Sequence, residues 1–151
     1  MLKKFGIAAL CGLSAVFVAC ASKPPYTVTN LSAEAHRLAF SQSKPMGCML
    51  VGEKEGIARA GETSATMEQL RESAKNDLLN KSAYLVEVGS SKRLVVYHAF
   101  EKWSCKSSDV GFMTKITGGA NNNPEVPCQE GFSVSEVSTL RVGGEIYECK
   151  F

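Results

Sequence analysis

The clearest periodicity in the chain is helical and lies near its middle. Charged residues fall largely elsewhere, and apolar positions recur at three-, four- and seven-residue steps at Met67, Leu70, Ala74, Leu78 and Leu85. The pattern predicts one amphipathic helix from about Thr66 to about Leu85, with its apolar stripe packed on a sheet. Thr66 and Gln69 have the spacing of a capping box, and Ser64 is the alternative N-cap one turn earlier.

The other regular elements have the composition of strands. Residues of high β propensity, in part alternating with polar ones, mark segments 36–41, 48–53, 93–100, 110–117, 132–140 and 145–150. The first segment also fits a helical turn or two over 33–39. Turn-forming residues separate the strands at 44–47, in a glycine-punctuated loop that runs to Gly61, and at 118–124. One helix among several mostly antiparallel strands predicts an α+β domain, in which the helix covers one sheet face.

The N-terminus has the pattern of a bacterial export signal. Lys3 and Lys4 precede an apolar run, from Phe5 to Ala19, that is too short to span a bilayer. A small residue before Cys20 is typical of a lipoprotein cleavage site, at which the cysteine is acylated and becomes the N-terminus. Cleavage after Ala21 is the alternative, because residues 19–21 also fit the ordinary secretory pattern.

Lipidation at Cys20 would tether the protein to a membrane without spanning it. Several acyl chains such as palmitate give stable attachment. The residue after the cysteine is Ala21, not the Asp that retains many lipoproteins at the inner membrane, so we expect the outer membrane, facing the periplasm. The expected organisation is a signal peptide over 1–19, a lipidated N-terminus and tether over 20–30, and a single α+β domain over 31–151.

Charge narrows the range of partners. The 17 basic and 15 acidic residues give a formal charge of +2, and removal of Lys3 and Lys4 with the signal leaves 15 of each. A net charge near zero offers no electrostatic basis for binding nucleic acid. We therefore expect no nucleic-acid partner.

Four cysteines follow Cys20, and an even number in an exported chain predicts a disulfide framework. Their spacings of 57, 23 and 21 residues lack the close pairs of a zinc site, so no metal is expected. Three pairings are open. We prefer Cys48 with Cys149, which adjoin two predicted strands, and Cys105 with Cys128, which bracket a loop-rich insertion.

Candidate catalytic residues are few. The chain has no nucleophile-elbow, metalloprotease, P-loop or dinucleotide motif, and we expect no catalytic residue and no cofactor. His36 and His98 lie on predicted strands beside apolar residues, as ordinary strand histidines do. Glu53 and Glu55 form an acidic pair at the glycine-punctuated loop, where solvation explains them. Trp103 is expected to pack on the neighbouring disulfide, and an exposed anchor for a partner is the alternative.

Three segments together resemble a known family: CMLVGE at 48–53, AKNDLLNKSA at 74–83 and GEIYEC at 144–149. They are similar to small bacterial envelope lipoproteins with a domain of unknown function, and more distantly to the Rcs stress-sensor lipoprotein of the outer membrane. The resemblance covers about Leu31 to Lys150. It implies that Cys48 and Cys149 form a pair and that the protein is anchored.

The helix segment of this resemblance carries four polar residues of note. Asn76 and Asn80 interrupt a run of good helix formers, which suggests that their amides bond adjoining strand or loop backbone. Asp77 and Lys81 have the spacing of an ion pair on one helix face.

We expect a non-enzymatic envelope lipoprotein that binds or senses another envelope component, with the membrane and an envelope protein as partners. Two alternatives stay open: an enzyme of unrecognised type acting on cell-wall or periplasmic material, and a surface-exposed structural or adhesive lipoprotein.

Overall fold

The computed structural model describes residues 22–85, 93–107 and 125–150. Within these residues one α-helix packs on a mixed, mostly antiparallel sheet of five strands, and two disulfides brace it. The predicted disulfide-braced α+β class is confirmed. The elements are β1 (Ala39–Ser41), β2 (Met49–Arg59), α1 (Met67–Ala83), β3 (Arg93–Lys106), β4 (Glu125–Pro127) and β5 (Val137–Cys149), with short 3₁₀ turns at Ala35–Arg37 and Val134–Glu136.

The sheet is built around β5. It pairs antiparallel with β3 on one side and with β2 on the other. On the outer edge of β3, β1 pairs parallel near its start and β4 pairs antiparallel near its end. The helix packs mainly on β2 and β5. The opposite face of the sheet is called the open face below.

The helix begins as its sequence predicts. Thr66 is the N-cap: its side chain accepts a hydrogen bond from the backbone N–H of Gln69 at 3.2 Å, and Gln69 Oε1 accepts the Thr66 N–H at 2.9 Å. Leu70 and Leu78 of the apolar stripe are fully buried. The last predicted residue, Leu85, is different, because the helix ends at Ala83 and Leu85 lies beyond it, exposed.

The predicted loop through Gly61 is wrong, because β2 continues without a break to Arg59. Gly56 explains the error. A Cβ on this residue would lie 1.9 Å from the carbonyl oxygen of Ala74 and 2.5 Å from the backbone nitrogen of Leu78. The glycine therefore marks the closest approach of helix to strand, not a turn.

Two predicted strands near the C-terminus, 132–140 and 145–150, are one strand in the structure. The strand β5 continues through Gly143 and Gly144. At Gly143 the ring of Phe100 fills the space of the missing side chain on the open face. At Gly144 the side chains of Leu78 and Val96 fill it on the helix face. The segment 132–136 precedes the strand as an extended stretch and a 3₁₀ turn. The predicted strand at 110–117 and loop at 118–124 lie outside the described residues.

The other strand predictions hold with changed limits. The segment 36–41 divides into the end of a 3₁₀ turn and β1, so both of its readings are partly correct. The strand predicted at 93–100 extends to Lys106 as β3. The turn at 44–47 is present, and Gly47 has a φ of 72°, which glycine adopts without strain.

The two helix asparagines bond backbone outside the helix, as their sequence context suggests. Asn76 donates to the carbonyl of Thr29 at 2.8 Å. Asn80 donates to the carbonyl of Asn30 at 2.9 Å and accepts the N–H of Ser32 at 2.8 Å. These bonds hold the N-terminal segment along the helix.

The same segment is fixed at its start. The carbonyl of Pro24 accepts the backbone N–H of Ser64 at 2.9 Å, just before the helix, and Thr29 bonds the hydroxyl of Ser73 through its N–H at 3.1 Å and its hydroxyl at 2.7 Å. We call residues 24–32 the docked segment. Of the predicted tether over 20–30, the part from Pro24 onward is thus held against the domain.

Both preferred disulfides are present. Cys48 is bonded to Cys149, which joins the start of β2 to the end of β5. Cys105 is bonded to Cys128, which joins β3 to the chain just after β4. Cys20 lies outside the described residues.

Candidate functional site

Exposed apolar side chains are concentrated at one end of the domain. Among the described residues, eight large hydrophobic side chains are exposed, and two of them, Phe100 and Val126, lie elsewhere. The other six come from three short stretches, and they are Met46, Met49, Leu50, Val51, Tyr84 and Leu85. We call this set the apolar end. Soluble surfaces carry single exposed hydrophobics routinely, whereas a group of six is typical of an interaction surface.

The fold brings these stretches together because α1 runs back along β2. The strand begins at Met49, beside the Cys48–Cys149 disulfide, and the helix ends there after traversing the sheet. A Cβ on Gly52 would contact Leu85 Cδ1 at 3.8 Å, so the residues that follow the helix lie over the start of the strand. Tyr84, 91% exposed, extends from the same place.

Side chains of α1 bond backbone groups of β2 in the middle of the strand. Asp77 Oδ2 accepts the N–H of Ile57 at 2.8 Å, and Lys81 Nζ donates to the carbonyl of Glu55 at 3.1 Å. Lys81 and Asp77 also pair with each other at 2.7 Å, as predicted. Nearer the apolar end the register shifts between Leu50 and Gly52. A register shift of this kind disfavours the pairing of a further strand with the edge of β2. The surface of the apolar end is therefore formed by side chains and not by backbone groups available for strand pairing.

A short crossover loop, residues 42–48, connects β1 to β2 across the open face and contributes Met46 to the apolar end. Lys44 fastens it: its Nζ lies 3.1 Å from Glu145 Oε2 and 5.5 Å from the ring centre of Tyr147. Tyr147 donates its hydroxyl to the same carboxylate. Hydrogen bonds from Tyr147 and Lys44 hold the pKa of Glu145 below its ordinary value, and bonds to Tyr147 and Glu145 raise the pKa of Lys44.

Next to this loop the open face has a concavity of about 450 Å³. It is lined by Glu53, Lys54, Glu55, Ala99, Phe100, Gly144 and Glu145. The predicted acidic pair thus lies on β2 and not in a loop. Glu53 is paired with Glu145 in the β2–β5 register, and Glu55 Oε2 lies 3.6 Å from Arg141 Nη1. A carboxyl with a lowered pKa is ionised at neutral pH, so Glu145 accepts hydrogen bonds here and has no proton to donate as a general acid.

The other residues named in the sequence analysis, His36, His98 and Trp103, are not part of the apolar end. His36 is in the exposed 3₁₀ turn, and His98 stacks on Phe40 with 6.1 Å between ring centres. Trp103 is half-buried, with its ring 5.5 Å from that of Phe132. Its Nε1 donates to Glu101 at 2.6 Å, and the guanidinium carbon of Arg71 lies 5.3 Å from the ring centre. The carbonyl of Trp103 accepts the backbone N–H of Cys128, a member of the neighbouring disulfide, at 3.2 Å.

Within residues 22–85, 93–107 and 125–150, no three His, Cys, Asp or Glu side chains converge in a way that could hold a metal ion. In the same part of the chain, no helix has the length and apolar character needed to cross a bilayer.

Sequence reasoning missed the apolar end as a unit. The signal was present in Met49-Leu50-Val51, three consecutive apolar residues where a half-buried strand alternates. The sequence predicts a helix to about Leu85, with Leu85 on its buried stripe. The helix ends two residues earlier, at Ala83, and this leaves Tyr84 and Leu85 exposed beside β2.

A comparison with protein-family models, with curated proteins and with solved structures found no significant match. The resemblance to envelope lipoproteins stays an expectation that rests on the sequence segments.

Proposed function

We propose that this protein is a lipoprotein of the bacterial envelope, anchored through Cys20 to the outer membrane and facing the periplasm, and that it binds or senses an envelope protein through the apolar end. The observation that carries the proposal is the concentration of six exposed apolar side chains at one end of a disulfide-braced domain. The export signal and its cysteine support the location.

The composition of the apolar end favours a protein partner. Methionine and aromatic residues are enriched in protein interfaces, and here Met46, Met49 and Tyr84 supply them. Met46 and Tyr84 are 95% and 91% exposed, so each has nearly its whole surface to bury against a partner. The surface that fits them is an apolar one on a folded envelope protein.

The framework under this surface is rigid, which limits the entropy lost on binding. The Cys48–Cys149 disulfide fixes the start of β2, and Lys44 fastens the neighbouring crossover loop to Glu145. A preorganised surface keeps more of its contact energy as affinity. These links restrain the backbone from which Met46 and Met49 extend.

In-cell photocrosslinking tests the proposal. A photoreactive residue is placed at Met49, and the same residue at Glu72, exposed in the middle of α1, is the control. We expect a discrete adduct with another envelope protein from the Met49 probe and none from the Glu72 probe. Tyr84→Ser should weaken the Met49 adduct, and Glu72→Ser should leave it unchanged.

Three outcomes contradict the proposal. They are adducts of equal yield from both probes, a Met49 adduct that is a second copy of this chain, and an adduct unaffected by Tyr84→Ser. Both serine substitutions are at exposed positions, where changes in stability are usually within about 0.5 kcal/mol, so a folding defect would not imitate the expected result.

A further inference from the structure

The docked segment limits how far the domain can lie from an anchor at Cys20. From Pro24 onward the chain is bonded to the domain, since the Pro24 carbonyl accepts the Ser64 N–H at 2.9 Å. Only Ala21, Ser22 and Lys23 separate that point from the cysteine. Four residue steps span at most about 14 Å when fully extended.

The attachment point is at the opposite end of the domain from the apolar end. Ser64 lies two residues before the N-cap of α1, and the apolar end includes Tyr84, its C-cap. The 17 residues of the helix span about 26 Å, and the 11 residues of β2, which run back beneath it, span about 36 Å. The short link therefore fixes which end of the domain is near the lipid.

A cleft of about 250 Å³ lies at the attachment point. Its lining combines Lys23, Thr63, Ser64 and Ser135 with apolar residues, which are Ala60, Ala65, Val134 and Val137. Glu62, in the same turn, is exposed. Lys23, Thr63 and Ser64 can donate hydrogen bonds to lipid phosphates at this end, and the six exposed side chains of the apolar end lie at the opposite one.

We infer that the domain is seated directly on the lipid headgroups of the leaflet that holds Cys20, with the Pro24–Ser64 end toward the membrane and the apolar end directed away from it. The inference rests on the proposed anchor. The apolar end then lies about 26 Å above the leaflet, which is one helix length. There it binds a protein that approaches from the periplasmic side. The docked segment holds the domain close to the membrane in one orientation and does not act as a flexible linker.

Fluorescence quenching on vesicles tests this orientation. The full-length acylated protein carries a click-attached dye at Glu62, before the helix, or at Tyr84, after it, so that the two probes differ by the length of α1. The vesicles contain phosphatidylethanolamine and phosphatidylglycerol, with a nitroxide quencher on a fraction of the headgroups. We expect severalfold stronger quenching of the Glu62 dye than of the Tyr84 dye.

A matched variant distinguishes the effect of the short link from the effect of the lipid anchor. Twelve Gly and Ser residues inserted between Ala21 and Ser22 lengthen the link, and we expect them to remove most of the difference between the two dyes. Equal quenching without the insertion, or stronger quenching at Tyr84, overturns the inference while leaving the anchor intact. A difference that survives the insertion also overturns it, because the link would then not set the orientation. An intact mass without acyl chains overturns the proposed anchor, and the inference with it.

Discussion

Gly56→Ala tests the contact that joins the helix to the sheet. The added Cβ would lie 1.9 Å from the carbonyl oxygen of Ala74, 2.5 Å from the backbone nitrogen of Leu78 and 2.7 Å from its Cβ. These are atoms of the helix backbone and the first atom of a side chain, so no rotamer change removes the overlap. The helix has to move away from β2.

The cost follows from overpacking. Extra methyl groups in a well-packed core destabilise by about 1–3 kcal/mol, and backbone clashes fall at the upper end, so we expect about 3 kcal/mol. Displacement of α1 also weakens the bonds from Asp77 to Ile57 and from Lys81 to Glu55. For a domain of this size the melting temperature should fall by roughly 10–15 °C.

Gly52→Ala is the matched control, because Gly52 lies on the same face of the same strand. There the nearest atom to the new Cβ is Leu85 Cδ1 at 3.8 Å, an ordinary contact. Alanine should be neutral or stabilise by about 0.4–1 kcal/mol through the unfolded chain. Urea unfolding followed by circular dichroism, with the disulfides intact, measures both variants. Equal unfolding free energies for the two would refute the proposed helix–strand contact.

Three further predictions concern the docked segment, the crossover loop and the disulfide that closes the longer loop. Asn80→Ala removes two hydrogen bonds, so hydrogen exchange of docked-segment amides should accelerate while that of β5 stays unchanged; equal rates would contradict the bonding. Because the pKa of Glu145 is lowered, the hydrogen bonds that its carboxylate accepts from Tyr147 and Lys44 stabilise the fold above the ordinary carboxyl pKa, and this stability is lost as pH falls through the folded value. Glu145→Gln should therefore lower the urea midpoint at pH 7 and match the parent at acidic pH, and a constant difference would contradict this. Replacing Cys48 and Cys149 together by Ser opens a loop of 101 residues and should cost about 4.7 kcal/mol in the chain-entropy model, measured by the same unfolding assay; an unchanged midpoint would show that the bond is dispensable.

Local rules predicted the helix and its cap, because a capping box and an apolar stripe are complete within about twenty residues. They also suggested that Asn76 and Asn80 bond backbone elsewhere, since such residues are costly in a helix without a partner. They did not identify the docked segment as that partner. Its acceptor groups, on Thr29 and Asn30, are backbone carbonyls that carry no sequence signal.

The glycines were harder to interpret. Gly56, Gly143 and Gly144 predict breaks when the sequence is read locally, yet each lies inside a strand where a side chain or helix backbone occupies the missing Cβ position. Whether a glycine turns the chain or admits a neighbour depends on tertiary contacts. The candidate site depends on the same information, because Gly52 and Leu85 are distant in sequence and come close only when α1 lies back along β2.

The chemical state of the mature N-terminus decides whether Cys20 anchors the protein. Mass spectrometry of the protein extracted from bacterial membranes measures it directly. We predict an N-terminal peptide that begins at Cys20 and carries a diacylglyceryl group on the thiol with a further acyl chain on the amine. A mature chain that begins at Ser22 without acyl groups would contradict the proposed anchor.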